Sequence, residues 1–491
     1  MGELLNGIFE CLDINSSTGL ATEDSLQGMT SFQRLFYTQV HEKIGIDAVY
    51  FLRDENGIAK IPLIYFSAIQ KYDAKQVAEL HRLSWNLGEA PLLFVVTPDE
   101  ILIYNNYETP QVVENGNLDP NAGIIETLNL TNGLASQRLA LKKYHRSLLE
   151  SGEYWRQSMT RFDVQSRVDS TLMSNLRIMR RTLINQISKR CDTSKETITG
   201  VVHALLNRSI FIKYLEERKD SNGETVFPQD FYCNFMKSAK QYTDVLNSKE
   251  ATYNLFRTLK EKFNGDTLQV SEIEAEIITQ DDLNELRTFI LGDSELESKQ
   301  LTLWPLYSFD IIPIQLISSI YELFFHLSEE DDEKGTYYTP LHLVNLVMDE
   351  VYPWEGEYKD TSFFDPSCGS GVFLVEAYRR LVCRWMSQND VHTINCDQLN
   401  LLLKNSIFGV DINEEAIRVA SFSLSLAMCD FLDPRSIWDK LSFPRLLDNN
   451  LISSDFFDED KSFNNRRYDV IVALRTSCEK FSYNLQKRNG A

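Results

Sequence analysis

The string FFDPSCGSGVFLVEAYRRL, Phe363–Leu381, limits what this chain can fold into more than any other stretch. An apolar run ends in an acid, Asp365. Pro366 and a glycine loop follow, and helical spacing starts near Val372. That order predicts a strand, a tight turn and a helix. Glycine lets the backbone approach a ligand closely, and the helix N-terminus offers free N–H groups. Two common ligand loops fit badly. A G-x-G-x-x-G dinucleotide loop needs a third glycine where Leu374 stands, and a phosphate-cradling loop needs a Gly-Lys-Ser/Thr that does not follow.

An acid at the strand end is unfavourable for phosphate and suits a neutral or cationic ligand. A sulfonium nucleotide such as S-adenosylmethionine has that preference. The string SIFGVDINEEAIRVASFSLSLA, Ser406–Ala427, repeats the design, with Asp411 ending a strand ahead of a helix. In open α/β sheets ligands sit beyond the carboxyl ends of the strands, so Asp365 and Asp411 can face one crevice. A carboxylate there can accept both ribose hydroxyl protons. Asp455 in LISSDFF is a third strand-end acid, placed to receive an adenine amine. Singly, each is as well explained as a helix cap or turn residue. Three in order after strands are a stronger signal.

Alternation of strand and helix from Ser308 onward argues for a largely parallel, doubly wound sheet, with strands at Ser362–Pro366, Ser406–Ile412 and Tyr468–Ala473. A helix is expected over Ile314–Leu327, then an acidic loop at Glu329–Glu333. Thr339 as N-cap with Pro340 opens a helix to about Val351. Residues 134–302 read as helical, with Thr197–Arg218 the clearest case; its stripe of Val201, Leu205, Ile212 and Leu215 reads as core. Residues 1–110 read as a small α/β domain, with strands at Ile61–Ile69, Pro91–Val96 and Glu100–Tyr104 and a helix over Asp73–Asn86. The Asn-, Gly- and Pro-rich stretch 108–134 reads as a linker or mobile loop.

The net charge of −22 opposes a duplex nucleic-acid partner unless basic surface gathers locally. Between Gln137 and Arg190 twelve Lys/Arg stand against four Asp/Glu. That stretch could track phosphates or be a solvated helical face. Eight scattered cysteines without a C-x-x-C pair read as reduced cytosolic thiols, with no metal site expected. Neither a signal peptide nor an apolar membrane span is apparent, so a cytoplasmic protein is expected.

GTYYTP (Gly335–Pro340), DPSCGSG (Asp365–Gly371), GVDIN (Gly409–Asn413) and SDFF (Ser454–Phe457) resemble the ordered motifs of gamma-type N6-adenine DNA methyltransferases. These include type I methylase subunits and fused type IIG restriction enzymes. IPIQLISSIYELFF (Ile312–Phe325) and HALLNRSIFIKYLEERKD (His203–Asp220) resemble the family's helical lead-in, so the resemblance covers roughly Leu134–Val472. It implies S-adenosylmethionine as cofactor and double-stranded DNA as partner. Thr336, Tyr338 and Thr339 would lie at the cofactor, the last two along its methionine end. Asp365 and Gly369 would hold its amino-acid and sulfonium region, Asp411 its ribose and Asp455 its adenine, with Pro366, Gly371 and Ile412 also at the cofactor. The fold implied is a Rossmann-like doubly wound methyltransferase sheet over 308–491, incomplete at its C-terminal end, after a helical domain and the small α/β domain.

The family flips an adenine and orients its amine with an Asn side chain and a proline carbonyl. The strand YDVIVA, Tyr468–Ala473, is present, but Leu474-Arg475-Thr476-Ser477 follows where Asn-Pro-Pro-Tyr/Phe is expected. Arg475 has donors only. We therefore expect no catalytic residues after Ala473, and a reading-frame disruption near Leu474 would explain the change. Three functions follow: a catalytically incomplete DNA adenine methyltransferase, a cofactor- or DNA-binding subunit completed by a second chain, or a protein or RNA methyltransferase. The N-terminal domain invites a nuclease reading, with Asp47 as first acid, but LIYFSAIQ supplies no acid-x-Lys pair. It reads as degenerate or structural.

Overall fold

Apolar β-branched and aromatic runs supply most strands of a six-stranded sheet, whose order follows the chain: β1 (Leu20–Thr22), β2 (Ala48–Arg53), β3 (Ala59–Ala68), β4 (Leu92–Val96), β5 (Glu100–Asn105) and β6 (Ile124–Asn129). Only β3 and β4 pair in parallel, which requires a crossover. Helix α3 (Ala74–Leu87) supplies it, after α1 (Gly2–Leu12) and α2 (Ser31–Ile44). Asp73 caps α3 by accepting the N–H groups of Lys75 and Gln76 at 2.8 and 3.2 Å. Thr97 closes the β4–β5 hairpin, its N–H reaching the Glu100 carbonyl at 2.9 Å.

The computed structural model describes residues 2–53, 59–113, 116–163, 166–220, 222–264, 268–292, 304–313, 341–457, 463 and 466–473. The chain divides into two compact units, Met1–Ser174 with Leu303–Ile312 and Asn175–Thr302 with Pro313–Ala491. This division differs from the boundaries read at 110, 134, 302 and 308, for two physical reasons. Within the supposed linker, Ile124–Asn129 forms β6 and pairs antiparallel with β5. Beyond it, Leu141, Tyr144, Leu149 and Tyr154 are buried in the same core as Phe66, Phe94 and Ile103. The first helical turns after 134 thus belong to the sheet unit. The helix expected at 314–327 and the capping pair Thr339–Pro340 lie outside the described residues.

In the second unit four parallel strands stand in the order β10 (Val470–Ile471), β7 (Phe363–Asp365), β8 (Ile407–Asp411), β9 (Leu451–Ser453). Register separates two faces. Gly409 turns toward a helix face, where an added Cβ would meet Leu374 Cδ1 at 2.7 Å and Cys368 Sγ at 2.9 Å. The other face carries Phe364, Phe408, Val410 and Phe463, with Tyr468 stacked on Phe364 at 4.4 Å. Among the described residues the helix layer lies on the first face.

That layer contains α5 (Leu341–Val351), α6 (Val372–Gln388), α7 (Cys396–Ser406) and α8 (Glu414–Cys429). Helix α8 is apolar almost all round and is buried from Ala416 to Cys429 except at Arg418, as expected of a helix packed on several sides. The helical stretch read over Thr197–Arg218 runs as α4 (Lys195–Glu217), capped by Ser194 through the Thr197 N–H at 3.2 Å. Its stripe of Val201, Leu205, Ile212 and Leu215 is buried. Helix α4 lies along α8: an added Gly200 Cβ would approach Glu415 Oε1 to 3.6 Å, Phe211 meets Phe422 edge-on at 6.0 Å, and Arg218 donates to the Leu432 carbonyl at 3.0 Å. The helical lead-in and the parallel sheet therefore share a core.

Candidate cofactor-binding site

Parallel pairing alone sets the spacing of the three strand-end acids. Asp365 is in register with Gly409, and Asp411, two residues later, is in register with Ser453. Asp455 comes two residues after that. The acids share one register parity and step outward along the carboxyl edge by about 6.6 Å per two residues of strand. The helix face, with the N-terminus of α6, lies on their side of the sheet.

The glycine loop is built by its own hydrogen bonds. Ser367 N–H reaches Asp365 Oδ1 at 3.0 Å, Cys368 N–H the Val410 carbonyl at 2.9 Å, and Gly371 N–H the Cys368 carbonyl at 2.8 Å. Gly369 and Gly371 have φ of 50° and 82°, backbone that side-chain-bearing residues rarely adopt. Gly371 also presses on α8, because an added Cβ would lie 2.9 Å from Ala420 Cβ. These glycines are required by turn geometry and helix packing as well as by any ligand.

Asp411 links this loop to the next one. Its Oδ2 accepts the Gly369 N–H at 2.9 Å and its Oδ1 the Asn413 N–H at 2.9 Å. Asn413 in turn caps α8 through the Glu415 N–H at 3.0 Å. A carboxylate has about four lone-pair sites, so two remain for hydroxyl donors. Beside it Ile412 is 77% exposed, an apolar side chain at the carboxyl edge of the sheet. Asp455 is exposed and accepts the Phe457 N–H at 2.9 Å, forming its own turn, while the Ser454 N–H continues the ladder to the Asp411 carbonyl. Asp365 is 2% exposed and Pro366 is buried beneath the loop. The structure therefore brings Asp365, Pro366, Gly369, Gly371, Asp411, Ile412 and Asp455 to one sheet edge. Thr336, Tyr338 and Thr339 lie outside the described residues.

Chemically, this edge offers acceptors to a nucleoside: two carboxylates for hydroxyl and amine protons, and an aliphatic side chain for a base. The acids that would repel a phosphate suit a cationic sulfonium group. Burial raises the pKa of Glu415, in the first turn of α8, above the ordinary carboxylate value. Among the described residues no group of three or more His, Cys, Asp or Glu could hold a metal ion. No helix among them is long and apolar enough to cross a membrane.

The nuclease reading can be examined at Asp47. Its Oδ2 accepts the Ala68 N–H at 2.6 Å, across the β2–β3 pair. The positions on either side of Ala68 hold Ser67, which donates to the Gly45 carbonyl, and buried Ile69, just past β3. Neither can bind a metal or polarise water as an acid-x-Lys pair would. The basic run is partly neutralised within the fold: Lys143 pairs with Glu126, Arg146 with Asp13, Arg167 with Asp169 and Arg190 with Asp282. Sequence reading missed Asn413, whose cap spacing to Glu415 was visible in the string DINEE.

A parallel sheet with a helix layer, a glycine loop and acidic strand ends makes this unit an α/β fold with a candidate ligand site at its carboxyl edge. Residues 313–473 match the model of the N-6 DNA Methylase family. Over that segment, about a third of the chain, it is similar to N6-adenine DNA methylases. It is 23% identical over 155 residues to the type I restriction enzyme HindI methylase subunit of Haemophilus influenzae, covering 31% of this chain and 30% of that protein. It is 21% identical over 355 residues to the type II restriction enzyme and methyltransferase RM.Eco57I of Escherichia coli, covering 62% and 33%. Among solved structures, the type IIL restriction-modification enzyme MmeI in complex with DNA aligns over 60% of this chain and 41% of its own, with 16% identity and a TM-score of 0.34. The chain spans about a third of the length of the two curated relatives.

Proposed function

We propose that this chain binds S-adenosylmethionine at the carboxyl edge of its parallel sheet and serves DNA adenine-N6 methylation in a restriction–modification system. The observation that carries the reading is the Asp411 carboxylate, joined to Gly369 of the glycine loop and flanked by Asp365 and Asp455 on one edge. In this reading the sheet is the Rossmann-like methyltransferase sheet. Asp411 takes the ribose hydroxyls, Ile412 covers the adenine, and Asp455 accepts its amine. Thr336, Tyr338 and Thr339 complete the methionine side. When bound, the cofactor supplies an electrophilic methyl group; the chain's residues hold and orient it. Double-stranded DNA is the substrate in this reading, and the cytoplasm the place of action.

Residues 474–477 favour a second, dependent role. Leu-Arg-Thr-Ser offers no Asn side chain and no proline carbonyl to orient a flipped adenine amine. The chain then acts as a cofactor-binding subunit, and a second chain supplies the groups that grip the adenine. The N-terminal sheet serves as a structural domain in both versions. Isothermal titration with S-adenosylmethionine tests the pocket. Transfer of a labelled methyl group to duplex DNA tests the second role: we expect none from this chain alone, and transfer at rates of a complete methylase would refute that role.

A further inference from the structure

We propose that Asn450 is a positioning residue that sets Asp455 against Asp411 and so governs how well the site recognises the amine of adenine; this rests on the cofactor reading above. Asp411 ends β8 and is held there by its bonds to the Gly369 and Asn413 N–H groups. Asp455 is placed differently. It lies two residues past the end of β9, is exposed, and accepts the Phe457 N–H within its own turn. Its position relative to Asp411 is therefore set by the register of β9 on β8.

The strand itself specifies that register weakly. β9 has three residues, and of these Leu451 alone is buried. A slip of two residues keeps the same face inward, so one buried side chain and three rungs do little to forbid it. Such a slip would carry Asp455 about 6.6 Å along the carboxyl edge.

Asn450 supplies the missing specification. It is 7% exposed and enters β9 from a turn in which its N–H and that of Leu451 both reach the Leu446 carbonyl, at 2.9 and 3.0 Å. Its own carbonyl accepts the Gly409 N–H at 2.9 Å. Its side-chain Nδ2 donates to the Ile407 carbonyl at 2.7 Å and to the Lys404 carbonyl at 2.8 Å. Ile407 and Gly409 are two residues apart on β8 and turn the same backbone edge toward β9, so main chain and side chain of one residue grip successive positions. Lys404 lies in the last turn of α7, where carbonyls lack a helical partner. An amide turned the other way would set its oxygen against two carbonyls, so the donors have one orientation. A slip of β9 by two residues would break all three bonds at once.

Loss of this amide should weaken recognition of the adenine amine and leave the ribose acid, on β8, in place. The test titrates the full chain with S-adenosylmethionine and with its analogue carrying purine in place of adenine, which lacks only the 6-amine. Wild type should bind the analogue about tenfold more weakly, the loss of one hydrogen bond to a charged group. In Asn450→Ala, affinity for S-adenosylmethionine should fall about tenfold and that for the analogue no more than about twofold, so the preference nearly disappears. Asn450→Ser keeps one donor and should lie between; it carries the test where the alanine variant does not fold. Equal loss of both ligands marks a merely structural role and overturns the proposal, as does an undiminished preference. Wild type that binds the two ligands equally also overturns it, because there is then no amine contact to position. Wild-type protein that binds neither ligand refutes the cofactor reading itself, and this proposal with it.

Discussion

Gly371→Ala tests the loop before any ligand is added. Two costs can be worked from its geometry. Its φ of 82° is left-handed, which costs an alanine roughly 1–2 kcal/mol. The new methyl would also lie 2.9 Å from Ala420 Cβ and 3.2 Å from Ala420 Cα on buried α8, an overpacking of about 1–3 kcal/mol. Together they predict a loss of roughly 2–5 kcal/mol. Gly223→Ala is the matched control in the same unit: its φ is 79°, but nothing lies within 4 Å of an added Cβ, so it bears the backbone cost alone. Urea unfolding gives the stabilities, and hydrogen exchange of the peptide 363–388 shows whether the loss is centred on the glycine loop. Gly371→Ala should be the more destabilised by at least about 1 kcal/mol and should exchange faster at that peptide. If the two variants agree within about 0.5 kcal/mol, the packing of the loop on α8 is wrong.

Three further outcomes follow. His203 is buried, and burial first, then the nearby Arg180, lowers its pKa to about 3; its Nε2 accepts the Arg180 Nε proton at 2.9 Å. The unfolded chain binds this proton near pH 6.5 and the folded chain does not, so stability is full above about 6.5 and falls as pH drops toward 3. His203→Gln should flatten that part of a stability–pH curve, and an unchanged slope would contradict the burial. Glu415 has the opposite sign: burial raises its folded pKa, so its stability is full below the unfolded value of 4.5 and is lost as pH rises. Glu415→Gln should remove this loss and raise the neutral-pH midpoint in urea. Arg208 and Glu274 form a buried ion pair, and Arg208→Met should cost about 3–5 kcal/mol by stranding the carboxylate, read by the same urea titration.

The strands were legible where side chains alone dictate them. Ile61–Ile69 and Pro91–Val96 are apolar runs, buried on both faces over Leu63–Phe66 and Leu92–Val96, and β3 and β4 follow them closely. The glycine loop was legible because turn chemistry is local. Strand β6 was not: its edge position leaves most of Ile124–Asn129 only partly buried, and it is held by cross-strand bonds to β5. Partners far apart in sequence were also invisible, such as Arg380 with Asp349 and Asp411 with Gly369. At the candidate site, the acids could be ordered by sequence, but parallel register was needed to give them a common parity. The clamp that Asp411 makes on the glycine loop, beside the ligand role proposed for it, required the fold.

Asp411 is therefore where the account is most exposed. Isothermal titration of the full chain with S-adenosylmethionine, repeated on Asp411→Asn, tests it most directly. The wild type should take up one cofactor per chain. The variant should bind about ten- to a hundredfold more weakly, because charge-assisted bonds worth about 1.5–3 kcal/mol are lost. Folded wild-type protein that binds no cofactor at millimolar concentration, or a variant that binds as well as wild type, would contradict the assignment of this sheet edge as the cofactor site.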